Sequence, residues 1–263
     1  MVDVPSSALP RLIAQSTFKP GQTCRGADMP DLYLHIDTSA SQTISFQNMS
    51  ALPVGKTLDL ARFECFQISN LINVSHMFDS VELNGNISAR GITFPEYSDH
   101  MFQSATINGS LDFTGSDFSK ANLEQMFVYA SCDSANSRKL SDITNGIVGN
   151  FGKNVKGMFT RSNLINRIDG CDKFKASNYE GMFSMANTLT EIDLSDLDVT
   201  TTTSMLNMFR QAVVSCGTID GLEGRTYPKL EDARNIFYGL NTNNQRITID
   251  MSNSVFEKFV DFN

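Results

Sequence analysis

Apolar and polar positions along this chain recur with a period of roughly 25 residues, and each period holds two kinds of segment. One is the dipeptide Met-Phe, at Met77-Phe78, Met101-Phe102, Met126-Phe127, Met158-Phe159, Met182-Phe183 and Met208-Phe209. Successive copies lie 24, 25, 32, 24 and 26 residues apart, and Ile236-Phe237 continues the series 28 residues on. The other is a short apolar–polar alternation 14 to 19 residues before each dipeptide, as in Glu191-Ile-Asp-Leu194. Its equivalents are Leu58–Leu60, Asn86–Ser88, Leu111–Phe113, Asp142–Thr144, Arg167–Asp169, Thr218–Asp220 and Ile247–Asp250. Alternation with period two predicts a half-buried strand. Met205, Met208 and Phe209 fall at i, i+3 and i+4, which predicts a short helix around each Met-Phe.

One strand–turn–helix unit cannot bury its apolar face alone, whereas stacked units share a continuous core. The expected fold is therefore α/β: a right-handed, leucine-rich-repeat-like solenoid of about eight rungs with one short parallel strand and one short helix per repeat. The Met and Phe of each dipeptide, with Phe237, are expected to form an internal ladder. The long interval before Met158 passes through Ser131–Lys139, expected to be an excursion loop.

The run from Met182 through Leu189-Thr-Glu-Ile-Asp-Leu-Ser-Asp-Leu-Asp-Val-Thr-Thr to Met205-Leu-Asn-Met-Phe209 resembles the BspA-like leucine-rich-repeat-like module of bacterial surface proteins. The match is close over 164–209 and looser over 71–163 and 210–250. What the resemblance implies is a solenoid used for adhesion or partner binding, without enzymatic activity. It supplies no ligand.

Five of the seven prolines lie at or before Pro53, which sets residues 1–50 apart from the repeat solenoid at 51–263. Asp31–Ile36 and Thr43–Phe46 alternate like two strands joined by a polar turn, and this hairpin is expected to cap the first rung. Residues 1–30 read as an arm that attaches the protein to other proteins of an assembly.

Composition narrows the function classes. Hydrophobic residues make up 41% of the chain, enough for a sizeable core. A net charge of −8 with scattered Lys and Arg offers no basic face for nucleic acid. No apolar run reaches the ~18 residues of a membrane span. The N-terminus reads without a secretory signal, and Cys24, Cys65, Cys132, Cys171 and Cys216 lack metal or redox spacing. No nucleophile elbow, zinc-protease, Walker or dinucleotide motif occurs. The expectation is a non-catalytic recognition or structural protein. A phage virion component, tail- or capsid-associated and facing a host receptor or glycan, fits a solenoid without an export signal. A bacterial adhesin, a cytoplasmic scaffold and a polysaccharide depolymerase are the alternatives.

Two sets of residues bear candidate chemistry. Asp169, Asp193, Asp220 and Asp250 are inferred to share one outward position on four consecutive rungs, where like charges repel. Local bonding of each Asp to its own backbone accounts for them most simply. A calcium site and a face kept acidic for a cationic partner are the alternatives. His76 and His100 share one slot on adjacent rungs, within reach of a common metal. Gln125, Gly157, Gly181 and Asn207 fill that slot elsewhere, so a small or polar position also explains it.

Overall fold

A computed structural model describes residues 23–26, 29–35, 52, 54–62, 73–243 and 245–262. From residue 52 onward the chain winds as a parallel solenoid of about seven turns with little helix. Its strands are very short, and corresponding strands of successive rungs pair in parallel. On the principal face β3 (Thr57–Asp59) pairs with β5 (Asn86–Ser88), which pairs with β7 (Leu111–Asp112). Further along, β8 (Arg138–Lys139), β9 (Ile165–Ile168) and β10 (Glu191–Ile192) continue that face. It ends with β11 (Thr218–Ile219) against β13 (Thr248–Ile249). A second face carries β4 (Glu82–Leu83) on β6 (Thr106–Ile107), and a third carries β12 (Thr226–Tyr227) on β14 (Val255–Phe256). Isolated bridges such as Asn122 to Asn154 and Ser204 to Asp232 mark a fourth.

The Met-Phe segments are not helical. Among the described residues the only α-helix is α1 (Ser141–Thr144). In the first corner Met77 N donates to Val74 O and Val81 N to Phe78 O, closing two successive four-residue turns. The third residues of those turns, His76 and Ser80, have φ of 57° and 61°. The same two left-handed slots recur as His100/Ser104, Gln125/Tyr129, Gly157/Arg161, Gly181/Met185, Asn207/Gln211 and Asn235/Gly239. A left-handed residue every fourth position stops a right-handed helix from propagating. The amides go to the next rung instead: Phe78 N to Met101 O (2.7 Å), Phe102 N to Met126 O (2.8 Å) and Phe183 N to Met208 O (2.9 Å).

Stacking these corners places like on like. Phe78, Phe102, Phe127, Phe159, Phe183, Phe209 and Phe237 form an unbroken ladder, with ring centroids 5.1–5.9 Å apart and planes within 15°. Met77, Met101, Met126, Met158, Met182 and Met208 are buried beside it. A second aromatic group, Phe94, Phe113, Phe118, Phe151 and Phe174, fills the solenoid under the longest interval.

That interval departs from the expected register. Asp142–Thr144 lies in α1 rather than in a strand. The strand of this rung is β8, inside the segment expected to be a loop. Buried Leu140 donates its amide to Arg167 O and takes the inward position, which leaves Ser141 opposite Asp169. Near the N-terminus, β2 (Met29–His35) covers most of the expected strand over Asp31–Ile36. Its antiparallel partner is β1 (Thr23–Gly26), upstream of it. Residues 1–22 and the expected partner strand at 43–46 lie outside the described residues. No helix among the described residues is long and apolar enough to cross a membrane.

Candidate functional site

Side chains that leave the solenoid's core fall on three lines. The first is the outward position of the principal face. The pairing of Ile192 with Ile168, of Asp193 with Asp220, and of Ile219 with Ile249 places Asp169, Asp193, Asp220 and Asp250 in register on four consecutive rungs. Their carboxylates are turned to local partners. Asp193 Oδ1 accepts from Ser195 N (2.9 Å) and Ser195 Oγ (2.5 Å), and Asp250 Oδ1 accepts from Ser252 N (2.8 Å). Asp220 Oδ2 accepts from Thr218 Oγ1 (3.1 Å). Asp169 Oδ1 accepts from Ser141 N on the preceding rung, with Lys139 Nζ 3.9 Å from its other oxygen. The bond from the Ser252 amide holds the Asp250 carboxyl below its usual range. The aspartates share a line, but their carboxylates do not gather into a group of three that a cation could bridge.

The second line is the second left-handed slot of each corner. Ser80, Ser104 and Gly239 are small, whereas Tyr129, Arg161, Met185 and Gln211 are large, on four consecutive rungs. The Arg161 guanidinium lies over the Tyr129 ring, 5.4 Å from its centroid, and its Nη1 donates to Tyr129 Oη (2.8 Å). Arg161 Nε points at Met185 Sδ, 3.0 Å away. Beside this line, one residue before the slots held by Gln211 and Gly239, Arg210 lies over Tyr238, 5.8 Å from the centroid. Tyr129 and Tyr238 are 50% and 58% exposed. A bulky residue at positive φ is costly, and Tyr129 and Arg161 stand exposed while Met185 is half-buried. The sequence holds only a faint sign of this stripe: large residues in a slot that is elsewhere small. Nothing in the hydropathy pattern reveals that the slot is left-handed.

The third line is the first left-handed slot. His76 and His100 stack with centroids 4.8 Å apart and planes at 13°. His76 Nδ1 faces Asp79 Oδ2 (3.1 Å), and His100 Nδ1 faces Asp99 Oδ2 (3.0 Å). Asp99 Oδ1 accepts from Ser75 Oγ (2.6 Å). Burial alone would raise the Asp99 carboxyl, but the Ser75 hydroxyl and His100 outweigh it and hold the group below its usual range.

A groove of about 310 Å³ opens where the long interval departs from the repeat, lined by Asn108, Ser110, Asn136, Arg138 and Asp142 among others. Several of its polar groups are engaged by the backbone around it. Arg138 Nη2 donates to Ile107 O (2.9 Å), and Asn108 Oδ1 accepts from Asp133 N (2.8 Å). Cys132, Cys171 and Cys216 are free and buried, and burial pushes the Cys171 thiol far up, which leaves it unreactive.

The model of one family, described as "Mycoplasma protein of unknown function, DUF285", matches residues 34–143 and again 121–251. The double match follows from the repeat itself. No curated protein and no solved structure matches the chain.

Proposed function

We propose, since this chain belongs to the DUF285 family of BspA-like repeats, that it is a non-catalytic recognition module whose binding face is the Tyr129–Arg161–Met185 stripe, extended by Arg210 and Tyr238. The observation that carries this reading is the choice of large side chains in a left-handed surface slot that Ser80, Ser104 and Gly239 fill without them. The left-handed backbone belongs to every corner, and what sets these rungs apart is the size and chemistry of the side chains mounted on it. Tyr, Arg and Met are also the residues enriched at interface centres, because they bring large contact areas and a cationic or polarizable edge. The partner suited to it is a protein surface or a glycan, for which exposed tyrosines and the guanidiniums beside them are natural platforms. A virion component is the finer form of this reading, and recognition through the stripe stands without it.

The test uses residues that the slot already accepts. A Tyr129→Ser, Arg161→Ser, Met185→Ser variant should fold with an unchanged circular dichroism spectrum. A photo-crosslinking amino acid replacing Tyr129 in otherwise native protein should capture the partner, and one replacing Asp193 should not. The triple variant should then bind that partner at least tenfold more weakly. Equal capture from both positions, or unchanged affinity of the triple variant, would overturn the assignment.

A further inference from the structure

We propose that His76, Asp99 and His100 form a binding site for a zinc-class divalent cation that clasps the first two Met-Phe corners together. One ligand atom from each of the three lies within 4.8 Å of the others, and they form the only such group of three or more among the described residues. Two imidazoles and a carboxylate are the donors that borderline first-row cations prefer, and Ca²⁺ and Mg²⁺ do not.

The corner geometry explains why these residues meet. Both histidines occupy the first left-handed slot, at φ 57° and 55°. His76 N donates to Asp99 O (3.1 Å), which locks one rung to the next directly beneath the rings. His100 N in turn donates to Glu124 O (3.0 Å). The side chains are therefore mounted on fixed backbone, and only their χ angles have to settle around an ion.

The ring contacts assign the nitrogens. His100 Nε2 faces Gln125 Oε1 (2.8 Å) and its Nδ1 faces Asp99 Oδ2 (3.0 Å), so both ring nitrogens point at acceptor oxygens. With Nε2–H donating to Gln125, the lone pair of a neutral Nδ1 faces a carboxylate oxygen, an arrangement that either a proton or a metal cation between them satisfies. With a metal there, Nδ1 and Asp99 Oδ2 become neighbouring ligands. Ligands about 2.0–2.2 Å from a tetrahedral ion lie roughly 3.3 Å from one another, close to the 3.0 Å observed between these two atoms. On the other rung, Asp79 accepts from His76 Nδ1–H and leaves Nε2 for the metal. Carboxylate or amide support of the distal ring nitrogen is the usual outer arrangement at histidine metal sites. His76, 42% exposed, closes the remaining distance by rotating its side chain. The fourth position then faces solvent, open to water or to a donor from a partner.

The slot supplies its own control. Gln125 occupies it one rung on, at φ 54°, so His76→Gln with His100→Gln is compatible with the backbone. Tag-free protein is titrated with ZnCl₂ by calorimetry, with CaCl₂ and MgCl₂ as comparison ions. The expected result is one saturable equivalent for zinc alone, lost in the double variant. Gln125→Ala, which removes only the outer support, should weaken binding about tenfold. Cobalt(II) should show the intense visible bands of a four-coordinate site in the wild type, altered in Asp99→Asn. Absence of a saturable zinc equivalent, or a double variant that binds zinc as the wild type does, would overturn the site. If the double variant unfolds, a cobalt spectrum unchanged by Asp99→Asn would do the same.

Discussion

Asp198 Oδ1 accepts from both Thr200 Oγ1 (2.6 Å) and Thr200 N (2.9 Å), and the hydroxyl first and the amide second hold its carboxyl below the ordinary value of 3.8. Asp117 does the same with the amide and hydroxyl of Ser119. Asn73, Asn122, Asn154 and Asn178 make the equivalent bond without a charge, to the amide two residues on. A folded-state pKa below the unfolded one contributes stability that is present above pH 3.8 and is lost as pH falls through the folded value. Asp198→Asn keeps the turn and removes the charge. Its urea midpoint should therefore be slightly lower than that of the wild type at neutral pH, by less than about 1 kcal/mol at so exposed a site. The gap should close as pH is lowered from 3.8 through the folded carboxyl's own titration, and a gap of unchanged size once that carboxyl is protonated would show that ionisation is not involved. At this scale some residues were legible and others were not. Asp193-Leu-Ser195 and Asp250-Met-Ser252 already place the acceptor two residues before its amide. The Tyr129 stripe was hidden, because its meaning depends on a positive φ that Tyr, Arg and Met do not signal.

The Met-Phe corner shows how a correct repeat can carry the wrong local geometry. Spacing at i, i+3 and i+4 puts Met205, Met208 and Phe209 on one side of a helix, yet two turns with left-handed third residues bury the same set. The clue was the first slot itself, which holds Gly157, Gly181, Asn207 and Asn235, the residue types that tolerate positive φ. Strand positions were legible because alternation survives even in two-residue strands. The exception was the longest interval, where Leu140 outcompetes Ile143 for the inward strand position and Ser141–Thr144 coils instead. Some elements also tolerate no side chain at all. Gly221 has φ of +83°, and a Cβ there would lie 2.1 Å from Ser195 N on the previous rung. Gly221→Ala should thus be destabilising by roughly 2–4 kcal/mol, from backbone strain and steric displacement together. The measurement is a urea melt, and a loss below about 1 kcal/mol would mean that neighbouring rungs are not packed at this spacing.

Across the whole molecule, stability follows from the fact that each rung touches only its two neighbours. The aromatic ladder makes the consequence measurable. Phe183 is buried between Phe159 and Phe209, at 5.6 and 5.4 Å, so its ring joins both halves of the solenoid. Phe237 is only partly buried and stacks on Phe209 alone within the ladder, at 5.9 Å. Truncating a buried Phe to Ala typically costs ~3–5 kcal/mol. Phe183→Ala is expected to lose stability in that range, because the cavity lies where neither neighbour can collapse without breaking its own cross-rung hydrogen bonds. Phe237→Ala should cost less than half as much and lower the unfolding midpoint correspondingly less. The difference also bears on cooperativity. A break at Phe183 uncouples two long halves, so its urea transition should broaden or split, while a break near the end should leave one sharp transition. Equal midpoint shifts with unchanged slopes would mean that stability is pooled over the molecule rather than passed from rung to rung.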